Sequence, residues 1–319
     1  MIQRKVVRID HNSDARASTV VVDWNLGNKC NYRCSYCPTD LHSGSTGWPD
    51  LSVLEAVSNL LVCHYRDLGR CVYFQFSGGE PSYYEFFREL AQLLVATGST
   101  VGVITNASRS PFWWKETASS LEYVCATYHV EFAEYGHFTE VIETLLEGGV
   151  STHINVPMYP KHFEKCLQVG KDLSDRFPEV TLTLKSLLVD FGSDLYDYSP
   201  SQLEILRCGI RRKAVSTSTD RRARGPMKLI YSDGSTEIQS ASQMLAHGQT
   251  RWSGWKCNAG IDLISINRNG RIHRSTCREG GLLGSIFDLN SITLPSAPVI
   301  CGKDACTCLS DIMTSRWVY

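Results

Sequence analysis

Cys30-Asn31-Tyr32-Arg33-Cys34-Ser35-Tyr36-Cys37 decides how this chain is read. Its three cysteines stand in a C-x3-C-x2-C spacing, just after an apolar, β-branched stretch, Thr19-Val20-Val21-Val22-Asp23-Trp24. Three thiolates in one short loop can hold three irons of a 4Fe–4S cluster. The fourth iron is then left open, which suits chemistry rather than electron storage. Two plainer readings are a zinc site and three buried thiols. Structural zinc takes four ligands, often as paired C-x2-4-C knuckles, and no second pair lies near Cys30.

Further along, Ser77-Gly78-Gly79-Glu80-Pro81 closes a strand-like run, Cys71-Val72-Tyr73-Phe74-Gln75-Phe76. Alone, Gly78-Gly79 would be a tight strand-to-helix turn. Together with the cysteine loop, and with Tyr36 just before the third cysteine, it resembles the signature of the radical S-adenosylmethionine (radical SAM) enzymes. In that family the open iron chelates the amino and carboxylate groups of S-adenosylmethionine. An electron from the reduced cluster cleaves the sulfonium C–S bond, and the 5′-deoxyadenosyl radical removes a hydrogen atom from a substrate carbon. The resemblance thus implies cluster ligation by Cys30, Cys34 and Cys37. It implies S-adenosylmethionine contacts from Tyr36, Ser77, Gly78, Gly79 and Glu80, with glycines allowing close backbone approach.

Composition is compatible with an enzyme of this kind. At 319 residues the chain has room for one large domain or two unequal ones. Its net charge of −1 argues for neither a nucleic acid nor a membrane surface as partner. It has no apolar run of about 18 residues and no charged-then-apolar leader. Thirteen cysteines without such a leader point to a reducing compartment and metal ligation rather than disulfides, so the cytoplasm is expected.

Strand patterns at 19–25, 71–76, 100–105, 121–127, 151–157 and 179–187 alternate with helical ones near 50–65, 82–97, 112–119, 136–147 and 161–176. Gly98 and Gly148-Gly149 read as helix stops, Pro49 and Pro160 as starts. Alternation of this kind implies right-handed βαβ units on a parallel sheet. Six units fit an α/β partial (β/α)6 barrel, the core fold the resemblance implies, with the active site at the C-terminal strand ends. Both motifs fall there. Thr105-Asn106 resembles the family's polar contact to S-adenosylmethionine, and His129 and Asn155 are further contact candidates. His129, Glu131 and Lys185 are the candidate catalytic residues, His129 being flanked by aromatics at a strand end. Each could equally be a solvent-facing alternate on its strand.

After about residue 190 the pattern changes. Arg211-Arg212-Lys213 and Arg221-Arg222-Ala223-Arg224 read as a solvated linker or helix face in a near-neutral chain. Residues 227–238 read as a hairpin turning at Asp233-Gly234, followed by a short helix at 240–247. A second hairpin, turning at Asn269-Gly270, would fold Cys257 and Cys277 toward each other, with Cys301, Cys306 and Cys308 following. Five cysteines in the last 63 residues can complete one auxiliary 4Fe–4S cluster but not two. This arrangement resembles the Twitch extension of radical SAM enzymes, the shortened relative of SPASM. Its C-x4-C-x-C ending departs from the expected C-x2-C pair and leaves the last two ligands open. A structural zinc ribbon is the other reading. Cys63, Cys71, Cys125, Cys166 and Cys208 read as buried small apolar residues.

The expected organisation is a lead-in at 1–18, the barrel at 19–190, a connecting segment with a hairpin at 191–249 and the Twitch-like domain at 250–319. With so short a lead-in, no winged-helix peptide-recognition segment is expected, and no vitamin B12 domain has room. The expected function is radical SAM oxidation or rearrangement of a small polar metabolite of sugar, cyclitol or nucleoside type. A flavodoxin- or ferredoxin-type protein would supply electrons. Maturation of a ribosomally made peptide is the runner-up, and a non-catalytic iron–sulfur or zinc protein the alternative from another class.

Overall fold

The computed structural model describes residues 4–192, 194–210 and 223–318. The basic residues Arg211, Arg212, Lys213, Arg221 and Arg222 lie outside them, as does Ser193. A strand, β1 (Val6–His11), and one helical turn, α1 (Asp14–Ala17), come first. The barrel units follow: β2 (Thr19–Asn25), α2 (Leu51–Asp67), β3 (Cys71–Ser77), α3 (Phe87–Ala96), β4 (Thr100–Thr105), α4 (Pro111–Thr117), β5 (Tyr123–Thr127), α5 (Tyr135–Glu147), β6 (Ser151–Pro157), α6 (Phe163–Arg176) and β7 (Thr181–Lys185). Then come α7 (Pro200–Cys208), β8 (Met227–Tyr231), β9 (Thr236–Gln239), α8 (Ala241–Ala246), β10 (Lys256–Cys257), β11 (Leu263–Ile266), β12 (Arg271–His273), β13 (Leu282–Ser285), β14 (Val299–Ile300), α9 (Leu309–Ile312) and β15 (Arg316–Trp317).

Strands β2 to β7 pair in parallel, in chain order, as the alternating pattern predicts. Along β2, Val20, Val22 and Trp24 are fully buried among the helix-facing core residues. Val21, Asp23 and Asn25 take the other face, which is the lumen. Trp24 packs against Phe74 and Phe76 at ring distances of 6.4 and 6.0 Å, joining β2 to β3 beneath the helices. Side-chain caps and glycine stops bound the helices. Ser110 accepts from Trp113 N–H ahead of Pro111, and Ser240 with Gln243 forms a capping box. Gly98 and Gly149 take the positive φ that ends their helices.

The chain's two ends enter these sheets in ways local pattern did not indicate. Strand β11 pairs in parallel with β2 and carries β12 and β13, so the C-terminal hairpin extends the barrel sheet to nine strands. Strand β1 lies between β15 and β8 in a separate six-stranded sheet, β14-β10-β15-β1-β8-β9. The expected partition at 18, 190 and 249 is therefore crossed by both sheets. Asp262 joins them. Its carboxylate lies 3.1 Å from His11 Nε2 and accepts from Arg70 at 2.9 Å and from Ser315 N–H at 2.9 Å. Its carbonyl accepts from buried Arg224. Burial works against the charge, but these donors hold the Asp262 carboxyl well below the usual range. Arg224 is thus a buried strut rather than part of a solvated face. Cys125 and Cys166 are buried as expected, whereas Cys63, Cys71 and Cys208 are exposed, at a helix face, a strand start and a last helical turn.

Candidate active site

The cysteine loop leaves the end of β2 and is pinned by four sets of hydrogen bonds. Asn28 Nδ2 donates to the Asp40 carbonyl and to the hydroxyls of Ser43 and Ser45, closing the longer loop that follows. Lys29 carbonyl accepts from Glu80 N–H at 2.9 Å, docking the Gly78-Gly79 turn against it. Ser35 donates to Glu131 through both N–H and Oγ, at 2.7 and 2.6 Å. The Arg268 guanidinium reaches from the β11–β12 turn to the carbonyl and carboxylate of Asp40.

Cys30, Cys34, Cys37 and Tyr36 line a cavity of about 270 Å³. Gly78 and Gly79 line its second wall, and Asn106, His129 and Lys185 come from the ends of β4, β5 and β7. Both glycines have positive φ, +95° and +51°. A Cβ on Gly79 would stand 2.2 Å from the Lys29 carbonyl oxygen. The turn is therefore glycine because it packs onto the backbone that carries Cys30. Asn106 donates through Nδ2 to Asn31 at 2.9 Å, which ties the β4 end to the cysteine loop.

Burial raises all three thiols, Cys30 to about 11 and Cys34 to about 12. The local hydrogen-bond donors do not offset that burial; a bound cationic metal would. Among the described residues no three His, Cys, Asp or Glu side chains close on one point as a single ion demands. A four-iron cluster would take each thiolate on its own iron, and three cysteines of one loop lining one cavity suit that donor set.

Four of the expected site residues stand elsewhere. The Glu80 carboxylate is fully buried and does not face the cavity. It accepts from Ser82 N–H and Oγ, from Thr105 Oγ at 2.6 Å and from Asn106 N–H at 2.6 Å, so it braces β3 against β4. The Glu131 carboxylate is taken up by Ser35, a positioning role for the cysteine loop. Asn155 lies deeper in the barrel, with its Oδ1 3.1 Å from His153 and its Nδ2 on Cys125 Sγ. Ser77 lines a neighbouring chamber with Asp23 and Asn25. The lumen positions of β2 were not among the expected site residues, although Asp23 and Asn25 are its polar alternates.

His129 stacks on Tyr36 at 6.0 Å and 15°, with its Nδ1 2.8 Å from the Tyr36 hydroxyl. Burial, with Lys185 adding to it, lowers its pKa to about 4, so the ring is neutral near pH 7. The unfolded chain protonates this histidine first as pH falls. Stability is thus present above about pH 6.5 and is lost on the way down to about pH 4. Between about pH 7 and pH 5, wild type should lose about 2 kcal/mol that His129→Gln does not. Denaturant melts of both proteins at the two pH values check this, and parallel losses would refute it.

The C-terminal cysteines also come together. Cys257, Cys277, Cys301, Cys306 and Cys308 all line one cavity of about 340 Å³. Burial raises the Cys306 thiol to about 12. Asp311, on α9, accepts the N–H groups of Thr276 and Cys277 at 3.0 and 2.7 Å and so positions that loop. Arg316 is 1% exposed and lines the same cavity. It lies 3.8 Å above Trp252 and donates to the carbonyls of Thr314 and Asp311. A buried guanidinium beside five thiols suits an anionic occupant.

The family model of the radical SAM superfamily matches residues 24–132, from the end of β2 to just past Glu131. That match covers about a third of the chain and makes this portion similar to radical SAM enzymes. The family implies a 4Fe–4S cluster and S-adenosylmethionine. Among solved structures, native anSMEcpe with bound AdoMet is similar at a TM-score of 0.52 and 16% identity, over 86% of this chain and 79% of that one. Native anSMEcpe with bound AdoMet and Kp18Cys peptide gives 0.53 and 15%, over 86% and 80%. At these identities the likeness speaks to fold. A comparison with the curated proteins finds no match.

Proposed function

We propose that this chain oxidises or rearranges a small polar metabolite of sugar, cyclitol or nucleoside type by hydrogen-atom abstraction, and that its C-terminal cysteines hold an auxiliary 4Fe–4S cluster. When bound at Cys30, Cys34 and Cys37, a reduced 4Fe–4S cluster with S-adenosylmethionine supplies a 5′-deoxyadenosyl radical. The chain's residues do the rest. Gly78 and Gly79 admit the methionyl end to the backbone, and Asn106 offers a polar contact at the rim. Neutral His129 and Tyr36 form one wall, shielding the cavity from water. Asp311 orders the Cys277 loop, and Arg316 compensates charge at the second site. A flavodoxin- or ferredoxin-type protein is the proposed reductant, and the cytoplasm the proposed compartment. Among the described residues no helix is long and apolar enough to cross a membrane.

The observation that carries the auxiliary cluster is the convergence of five cysteines from β10, the loop after β12 and residues 301–308 on one cavity. Peptide maturation stays the second reading, because anSMEcpe, of similar fold, has been solved with the Kp18Cys peptide. Iron and sulfide in anaerobically purified protein should total about eight each per chain. Either Cys257→Ala or Cys277→Ala should lower this to about four while S-adenosylmethionine cleavage to 5′-deoxyadenosine continues. At least two of Cys301, Cys306 and Cys308 should prove necessary. Stoichiometric zinc with iron for one cluster would overturn the auxiliary assignment, and wild type making no 5′-deoxyadenosine would overturn the whole reading.

A further inference from the structure

Between the two cysteine cavities lies a third, of about 390 Å³. It shares Asn25 with the first cavity and Ser275 and Thr276 with the second. Its floor is a row of polar residues on one sheet face. Strand register sets Asp23 beside Ser265, and Ser265 beside His273. Ile266 is the one aliphatic residue among those lining the chamber.

Two charged side chains and one imidazole nitrogen of the lining residues have no protein partner among the described residues. The Asp23 carboxylate is half-buried, opens on the chamber and makes no hydrogen bond or ion pair among the described residues. Burial, with nearby Asp311 adding to it, raises it to about 6. Arg278 follows Cys277 and holds a left-handed φ of +60°, which costs a non-glycine residue about 1 kcal/mol or more. Arg278 is exposed, lines the chamber and has no acidic partner within ion-pair distance among the described residues. His273 Nδ1 is buried and without a hydrogen-bond partner. Arg268, the other guanidinium here, is already engaged by Asp40.

An unpaired carboxylate in a cavity wants donors, and a cation most of all. An unpaired guanidinium wants an anion, which it can hold through two parallel hydrogen bonds. Hydroxyls and amides between them match a hydroxylated body. The volume sits at the small-molecule end of ligand cavities, roughly 300–1,000 Å³. Resting on the function proposed above, we infer that this chamber binds the substrate, and that the substrate is a small polyhydroxylated zwitterion. Its ammonium group meets Asp23 and its anionic group meets Arg278.

Three probes separate these contacts: glucosamine 6-phosphate, glucose 6-phosphate and glucosamine. Each is titrated calorimetrically into the cluster-loaded chain with S-adenosylmethionine bound and no reductant. Wild type should bind the first at least about tenfold more tightly than the other two, a charge-assisted hydrogen bond being worth that much. Asp23→Asn should erase the preference over glucose 6-phosphate, and Asp23→Glu should restore part of it. Arg278→Asn, a residue that tolerates the left-handed φ, should erase the preference over glucosamine. Melting temperature and iron content of each variant report whether it has folded and loaded. Equal binding of all three probes by wild type, no binding of any, or preferences unmoved in the variants would overturn the inference. Wild type that neither loads iron nor makes 5′-deoxyadenosine would instead defeat the reading beneath it.

Discussion

Replacing Cys30, Cys34 and Cys37 together by alanine should halve the iron, from about eight to about four per chain, and remove S-adenosylmethionine cleavage altogether. Each cysteine would hold one iron of the proposed cluster, and the cavity they line offers no other thiol to take over. The second group of five cysteines opens on a different cavity, so its iron should persist with an unchanged spectrum. The fold should persist too, since Ser35–Glu131, Asn28–Asp40 and Arg268–Asp40 hold the loop without the thiols. Iron analysis and chromatographic detection of 5′-deoxyadenosine decide the matter. A triple variant that still makes 5′-deoxyadenosine would place the chemistry elsewhere.

Gly79→Val should be nearly as damaging, and for a reason the motif alone did not disclose. On sequence, the substitution interferes with the approach of S-adenosylmethionine. In the structure the new Cβ would stand 2.2 Å from the Lys29 carbonyl oxygen, 2.7 Å from its carbon and 2.9 Å from the Asn28 carbonyl carbon. Those are backbone atoms and cannot swing aside. The valine also inherits a φ of +51°, strained for a β-branched side chain. The turn must lift away from Lys29, and Cys30 follows directly. S-adenosylmethionine affinity should therefore fall by about tenfold or more, with the first cluster's iron falling beside it. Gly98→Ala separates the two causes. Gly98 has a φ of +84° but nothing within 4 Å of its Cβ position. That variant should lose about 1–2 kcal/mol of stability and no iron. Full iron and full affinity in Gly79→Val would show that the turn does not brace the loop.

The barrel was legible because its signals are local. Val20, Val22 and Trp24 alternate with lumen residues, and Gly98 and Gly149 stop helices. The cysteine loop was legible because its spacing is chemistry in itself. What escaped depends on neighbours far away in sequence. Glu131 resembles a catalytic carboxylate until Ser35 is found occupying both its oxygens. Glu80 belongs to the motif, yet its side chain serves Thr105 and Asn106 rather than the cavity. Arg224 ends a basic run that reads as solvated, and only the fold supplies the carbonyls of Arg16, Thr19 and Asp262 that bury it. Asp23 drew no notice because a lone acid in an apolar strand gains meaning only when Ser265 and His273 come to lie beside it.

The pairing of β2 with β11 also governs when this molecule can assemble. Val21 meets Leu263 across about 240 residues of chain, a closure whose entropy must be met before any contact rewards it. Strand β1 pairs with β8 across about 220 residues and with β15 across about 310. As the chain emerges during synthesis, its first strands thus present open edges until its last quarter arrives. The cysteine loop begins where β2 ends, so it hangs from one of the last seams to close. Residues made among the first are held rigid among the last, and their vulnerability to mispairing lasts nearly as long as synthesis itself.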